Sequence, residues 1–178
     1  MPYVTLVDLA ERPGARELAQ VAGAEHLVVV EAALMDATLR GVDRAAWPSD
    51  AIASADAAVA RIKDAVDEAG AVIDGFLAQR GYSLPLELPP SSTGKSVLGA
   101  WARSISRYML HKGRITDESK DPIARDYRDA VKMLKLLAEG KYSLGADDPA
   151  QAGSSGSTDV RFAGAPTVFG RDQLRSFR

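Results

Sequence analysis

The sequence predicts an all-α protein: a helical bundle of about five helices with an extended C-terminal arm. Apolar residues between Ser54 and Leu86 recur at steps of 3, 4, 3, 4 and 3, which places them on one stripe of a helix. Several other segments show the same period between helix-start and helix-stop residues. The 178 residues are 46% hydrophobic, enough for a sizeable core, and include no cysteine. The stripe consists of Val59, Ile62, Val66, Ala69, Ile73 and Phe76.

The central helix is expected to begin near Ser54 and to end before Gly81. Ser54 or Asp56 is a candidate N-cap, while Gly81 and the following Leu-Pro-Leu end the helix and turn the chain into an extended segment. The charged residues lie off the apolar stripe, and Lys63 and Asp67 are spaced to form an i,i+4 ion pair.

Two short helices are predicted near the N-terminus. Thr5 and Asp8 resemble a capping box with the shorter acid, and a Pro-Gly pair interrupts the helix they start. A second helix over 15–22 ends at Gly23.

A helix is also predicted over 25–40. The valines at 28–30 favour a strand locally, but the length of the segment and its Glu-Ala-Ala-Leu-Met continuation favour a helix. The connection that follows contains Trp47, for which a place in the core is favoured over an exposed contact.

The last two predicted helices cover 96–112 and 121–139. Asp121 is suited to cap the second of them, Pro122 to its first turn and Gly140 to its end. Their apolar stripes consist of Val97, Trp101, Ile105, Tyr108 and Met109 in the first, and Ile123, Tyr127, Val131, Leu134 and Leu137 in the second.

A possible phosphate-binding loop precedes the first of these helices. Gly94, Lys95 and Ser96 stand before a helix, as in loops that bind phosphates. The pattern fails because Pro89 occupies the position of the first glycine and no buried strand precedes it. A serine or threonine cap with a lysine at a helix start is the favoured interpretation.

The remaining sequence predicts no catalytic residue, no cofactor site and no metal site, so we do not expect an enzyme. His26 and His111 are the only histidines, and neither has a second ligand at a suitable spacing. There is no Gly-x-Ser-x-Gly elbow. No apolar run is long enough to span a membrane and the start does not resemble a signal peptide, so a soluble intracellular protein with no membrane partner is expected.

The net charge of −2 conceals two halves of opposite sign. Residues 1–90 carry 7 Lys/Arg and 14 Asp/Glu, a net −7, whereas residues 91–178 carry 15 and 10, a net +5. Two solvated surfaces are the simpler interpretation. The alternative is that unlike faces of neighbouring copies attract each other in head-to-tail assembly.

The chain is expected to divide into three parts: a bundle domain over 1–145, a flexible linker over 146–160 and an interaction arm over 161–178. The linker is rich in Gly, Ser and Asp. In the arm, aromatic and aliphatic side chains alternate with arginines, a composition typical of interfaces, although a return to the bundle's own surface is the alternative. The expected partner-binding residues are Phe162, Phe169, Arg171, Leu174, Arg175 and Phe177.

An ordered set of motifs identifies a family. Ala-Val-Ile-Asp-Gly-Phe-Leu at 71–77, Leu-Pro-Leu at 84–86, Ala-Arg-Ser-Ile-Ser-Arg-Tyr at 102–108 and Gly-Lys-Tyr-Ser-Leu-Gly at 140–145 follow one another. Together with Thr5-x-x-Asp8-Leu9, they resemble the neck protein family of Mu-like phages and prophages. Relative to that family, residues 23–53 look like an insertion.

The resemblance implies a structural virion protein of the neck, similar to the connector adaptors of long-tailed phages. Such a head-tail connector or head-completion adaptor would be a homo-oligomeric ring of about twelve copies between portal and tail. Its partners would be the portal protein, tail or neck proteins and the DNA that passes through the lumen without sequence-specific contacts. The resemblance further implies that Phe169 and Leu174 fill apolar grooves and that Arg171 pairs with a carboxylate.

The expected location is the neck of the virion, after synthesis in the cytoplasm of the bacterial host. The alternative is a small, non-enzymatic helical interaction or regulatory domain of a bacterial cell. Neighbouring genes for portal, capsid and tail proteins would favour the first reading.

Overall fold

The computed structural model describes residues 3–23, 28–89, 91–145 and 148–149. Within these ranges all regular structure is helical and no strand occurs, which confirms the all-α prediction. A kinked segment, Ala10–Gly14, joins the first two helices. The helices are α1 (Leu6–Leu9), α2 (Ala15–Ala22), α3 (Ala32–Arg40), α4 (Ser49–Arg80), α5 (Thr93–His111) and α6 (Pro122–Ala138).

Helix α4 is the centre of the bundle. Its 32 residues pack against α2, α3, α5 and α6, and the predicted apolar stripe is the face that it buries. Ile62, Ala69, Ile73 and Leu77 are fully buried, and Phe76 packs against the edge of the core. The spacing of the apolar residues therefore located the core correctly.

The start of α4 differs from the prediction. The helix begins at Ser49, directly after Pro48, whose extended backbone (φ −65°, ψ 151°) sets the boundary. Ser54 and Asp56 lie inside the helix, so neither caps it. The helix ends at Gly81 as predicted, in a left-handed conformation (φ 97°) that glycine adopts without strain.

The predicted ion pair between Lys63 and Asp67 is wrong, since neither side chain belongs to an ion pair among the described residues. Both side chains are exposed, where the attraction between the two charges is too weak to fix two long side chains in one geometry.

Helix α3 is shorter than predicted. The chain is not helical over 28–31, and the helix begins at Ala32 after Glu31, which has an extended backbone. The β-branched valines account for this difference, because they lose side-chain freedom in a helix and fit an extended chain. Val30 is buried, whereas Val28 is 90% exposed and Val29 59% exposed.

Helix α5 buries the predicted Ile105, but most of its buried face is rotated away from the predicted stripe. Its buried residues are mostly small, with Gly94, Ala102 and Ser106 among them, and Leu98 and Ile105 supply the larger side chains. The hydroxyl of Ser106 donates to the carbonyl of Ala102 at 2.8 Å. The rest of the buried face was not predicted, because small residues permit close helix packing without adding to an apolar pattern.

Trp101, predicted to be a core residue, is half-buried at the edge of the bundle. Its ring lies 5.7 Å from that of Tyr142. Trp47, also predicted to lie in the core, is only partly buried. Its ring packs against the core while its indole N–H donates to Glu31 at 2.9 Å.

Two of the predicted helix caps are present. Thr5 and Asp8 form the reciprocal hydrogen bonds of a capping box at α1. The carboxylate of Asp121 accepts from the backbone of Ile123 at 2.7 Å and of Ala124 at 3.2 Å, with Pro122 in the first turn of α6.

Candidate interaction surfaces

The predicted arm lies outside the described residues. Phe162, Phe169, Arg171, Leu174, Arg175 and Phe177 all belong to the segment 151–178, so their role as partner-binding residues stays a prediction.

A buried ion pair holds the last described residues against the end of α4. The Arg80 Nη2 atom lies 2.9 Å from Asp148 Oδ1, and the two side chains are only 16% and 1% exposed. Gly140 is in a left-handed conformation (φ 75°), and a Cβ there would overlap the Arg80 guanidinium. Because Gly140 lacks a side chain, the arginine can approach closely enough to pair with the carboxylate.

The Tyr82 phenol lies next to this pair. Burial raises the pKa of Tyr82, and the neighbouring Asp148 carboxylate raises it further. With Leu88, Ser92 and Leu144, both residues line an open groove between the end of α4 and the start of α5. Asp148, close to the last described residue, therefore lies beside the α4–α5 end of the bundle.

A second cleft is basic. It lies between the kinked segment, α5 and the first turns of α6, and no residue of α4 lines it. Arg12, Arg103 and Arg107 supply its positive charge, and Asp126 is the one carboxylate among the described lining residues. These residues are Arg12, Pro13, Arg103, Ser104, Arg107, Ile123 and Asp126.

Arg107 is already paired within the chain. Its Nε and Nη2 atoms donate to the two carboxylate oxygens of Glu17 at 2.6 and 2.7 Å, and His111 Nε2 lies 2.9 Å from the same carboxylate. Burial alone would raise the pKa of Glu17, but the hydrogen bonds and charges of Arg107 and His111 hold it below its ordinary value. This cluster fixes α2 against α5.

Arg12 and Arg103 have no such acceptor. Neither belongs to an ion pair or a side-chain hydrogen bond with any other described residue, and the Arg103 Nε atom is buried without a hydrogen-bond partner. The pKa of Asp8 is lowered mainly by hydrogen bonds from Thr5, and Arg103 adds only a weaker charge effect. The cleft thus holds two arginines available for an acceptor from outside the chain.

The exposed face of α4 carries the opposite charge. Asp64, Asp67 and Glu68 are exposed and spaced at i, i+3 and i+4, which places them on one side of the helix. Where the structure describes the chain, none of the three forms an ion pair or a side-chain hydrogen bond. The molecule therefore presents unpaired acids on α4 and unpaired arginines in the cleft.

Comparison with known proteins gives the family. The profile described as "Bacteriophage Mu, Gp36" matches residues 3–162. The chain belongs to the bacteriophage Mu Gp36 family. It is 32% identical over 141 residues to "Mu-like prophage FluMu protein gp36" of Haemophilus influenzae, covering 79% of this chain and 89% of that relative. It is also 32% identical over 126 residues to "Gene product J" of Escherichia phage Mu, covering 71% and 81%.

This Gp36-family chain is therefore a Mu-like phage protein, and the predicted resemblance to a Mu-like phage family is confirmed. In the described ranges no helix is both long and apolar enough to cross a bilayer.

The residues around Lys95 have structural roles in this Gp36-family chain. The Ser92 hydroxyl accepts from the Lys95 backbone N–H at 3.2 Å and caps α5. A Cβ at Gly94 would lie 2.7 Å from the Leu144 carbonyl oxygen, so this glycine permits close packing. The preceding segment is not a strand. The observed contacts agree with the helix-cap interpretation.

The structure also bears on the other predicted chemistry. His26 lies outside the described residues, and His111 is bound to Glu17. Among the residues described, no group of three or more His, Asp or Glu side chains is placed to hold a metal ion.

Sequence reasoning missed the basic cleft, although one signal for it was present. Helix α5 contains three basic residues and no acidic residue, and Arg103 and Arg107 are four residues apart on one face. What the sequence does not show is that Arg12, some ninety positions earlier, comes to the same cleft through the kink before α2.

Proposed function

We propose that this chain is a structural protein of the virion neck, a head-tail connector or head-completion adaptor that assembles as a ring between portal and tail. Membership in the Mu Gp36 family carries the proposal, because the family match includes every described helix. The ordered motifs at 71–77, 84–86, 102–108 and 140–145 add the resemblance to connector adaptors.

The surface of the bundle supports assembly with other proteins. Unpaired acids on α4 and unpaired arginines in the cleft are separate patches of opposite charge. A ring is built from contacts between two different patches, repeated around an axis. The lumen of such a ring would let DNA pass without reading its sequence.

The arm gives the ring a second type of contact in this proposal. Asp148, within the predicted linker 146–160, pairs with Arg80 at the end of α4, and the arm over 161–178 follows the linker. The arm would contact the portal or a neighbouring subunit. Each contact would be weak, but a ring presents many arms at once and avidity would strengthen the whole.

The proposal is tested by deleting the gene from an inducible phage or prophage and examining the lysate by electron microscopy. The expected result is DNA-filled heads and complete tails that fail to join, with joining restored by the wild-type gene in trans. Mass spectrometry of purified wild-type virions should detect the protein. Normal virions from the deletion, or absence of the protein from particles, would reject the neck role and favour a regulatory domain of the host cell.

A further inference from the structure

We propose that neighbouring copies in the ring are joined by the acidic face of α4 from one copy seated on the Arg12–Arg103 cleft of the next. This inference rests on the proposed ring and names its subunit contact. The acidic face is defined as Asp64, Asp67 and Glu68 with the exposed residues Ala71 and Gly75 that continue it along α4.

Two arginines of the cleft have no carboxylate partner in the described part of the chain. Arg107 is paired with Glu17, whereas Arg103 has a buried Nε without a partner and Arg12 has no acceptor in the described part of the chain. A buried guanidinium N–H without an acceptor destabilises a protein, so a carboxylate entering this cleft stabilises it. Asp126 is the one acid in the lining, and it contacts Arg125 at 3.2 Å.

The face of α4 has a shape that suits close approach. Asp64, Glu68, Ala71 and Gly75 follow at steps of 4, 3 and 4 and all are exposed, so they form one stripe along the helix. A Cβ added to Gly75 would meet no atom within 4 Å among the described residues, so no contact within that part of the chain requires a glycine there. A glycine inside a helix weakens it relative to alanine, and a closely packed neighbour is a physical reason to keep one.

The occupant is a second copy because the two patches are complementary in charge and cannot meet within one molecule's described fold. Three acids without partners among the described residues face outward on α4. Two arginines without acceptors there lie in a cleft to which α4 contributes no described residue. The contact joins two different surfaces, so it propagates from copy to copy and can close into a ring. Exposed charge pairs are individually weak and screened by salt, which suits a contact that is stable only when repeated.

The absence of cysteine makes a direct test possible. A variant with Asp67→Cys and Ser104→Cys places one thiol on the acidic face and one in the cleft, and both changes are small. Treatment with a short bismaleimide at high protein concentration should give a ladder of cross-linked oligomers. Each single-cysteine variant alone should remain largely monomeric, and a mixture of the two should give mainly dimers. The matched control is Asp50→Cys with Ser104→Cys, an exposed acid of α4 outside the face.

Charge reversal provides an independent readout. Arg103→Glu in the two-cysteine background should reduce cross-linking about tenfold, and adding Glu68→Arg on the opposite face should restore it in part. Melting curves of the variants show whether each one is folded, so a loss through unfolding is recognised.

The outcomes separate the contact from the ring. One outcome is that virions contain a ring of this protein in which the Asp67–Ser104 cysteine pair cross-links no more than the Asp50–Ser104 control pair. In that case the proposed subunit contact is wrong and the ring stands. If no ring is present in virions, both proposals fail. A ladder specific to the Asp67–Ser104 pair that Arg103→Glu abolishes supports the contact.

Discussion

Individual side chains in this bundle differ widely in how much of its stability they carry. Truncating a fully buried residue of α4 or α6 loses the free energy gained by burying its apolar atoms, and the surroundings cannot collapse fully into the space left behind. Neither cost arises at an exposed side chain such as Val42. Burial therefore decides which substitutions the fold tolerates.

We expect Ile73→Ala and Leu134→Ala each to lower the free energy of unfolding by about 2–5 kcal/mol, because both side chains are 0% exposed. The control is Val42→Ala, in which the side chain is 53% exposed and the change should stay within about 0.5 kcal/mol. Urea denaturation measures all three. Equal midpoints for the two core variants and the control would show that the assigned core is wrong.

The Glu17 carboxylate gives the fold a defined acid sensitivity. Its pKa in the folded chain lies below the ordinary value of 4.5 despite burial, because Arg107 and His111 bind the charged form. A lowered folded pKa stabilises the fold above pH 4.5 and the contribution is lost as the pH falls through the folded value.

Glu17→Gln should therefore cost about 1 kcal/mol at pH 7 and progressively less below pH 4.5, where the wild-type carboxylate takes up its proton. Thermal melts from pH 7 to pH 3 should show a shallower decline for the variant. Parallel curves for the two proteins over this range would mean that Glu17 does not contribute through its charge.

At the scale of the helices, the apolar period predicted the buried face of α4 better than local capping residues predicted where helices begin. The apolar steps in α4 identified its buried face, and Gly81 and Asp121 marked helix ends because their backbone roles are local. The start of α4 was missed because several residues were suitable caps and the sequence does not rank them. The start of α3 was missed because helical length outweighed the valines at 28–30 in the prediction.

Two glycines of this bundle have opposite requirements. Gly94 in α5 lies against the Leu144 carbonyl oxygen, which a Cβ would approach to 2.7 Å, whereas Gly75 in α4 has open space. Gly94→Ala should destabilise the bundle by about 1–3 kcal/mol through overpacking. Gly75→Ala should stabilise it by up to about 1 kcal/mol, because alanine favours the helix.

Denaturation of the two variants side by side is the measurement. If Gly94→Ala proved as stable as the wild type, the close contact between Gly94 of α5 and the Leu144 carbonyl oxygen would be refuted. A destabilising Gly75→Ala would reveal a constraint on α4 inside the isolated chain and would weaken the argument that a neighbouring copy accounts for this glycine.

At the scale of the whole molecule, negative and positive charges are concentrated in different halves of the sequence and on different surfaces of the fold. The acids unpaired on α4 belong to the negative half and the arginine-lined cleft lies mainly on α5 of the positive half. The net charges of the halves were visible in the sequence. The cleft was not, since it depends on tertiary contact between residues about ninety positions apart.

If the proposed neck role is correct, free protein should be monomeric or weakly associated, since a component that closed into rings early would compete with ordered assembly. Light scattering at high concentration should show association that declines as salt rises from about 0.05 to 0.5 M, because the charged surfaces are screened over about 10 Å or less. Association that does not respond to salt would count against contacts made by the two charged patches.

Deleting residues 161–178 should leave the bundle intact but abolish the head-tail joining proposed for this protein. The described core closes within 3–149, where Leu144 is buried and Asp148 pairs with Arg80, so none of its observed contacts needs the arm. The arm nonetheless alternates Phe169 and Leu174 with Arg171 and Arg175, the types of residue that anchor interfaces. The truncated protein is expected to melt at the wild-type temperature and to fail to restore head-tail joining to a deletion phage.

The matched variant keeps the length of the arm and replaces Phe169 and Leu174 with serine. It should fail in the same assay if the arm binds its partner through apolar side chains. A bundle that unfolds without the arm would show that the arm returns to its own surface, and normal particles from either variant would show that joining does not depend on it.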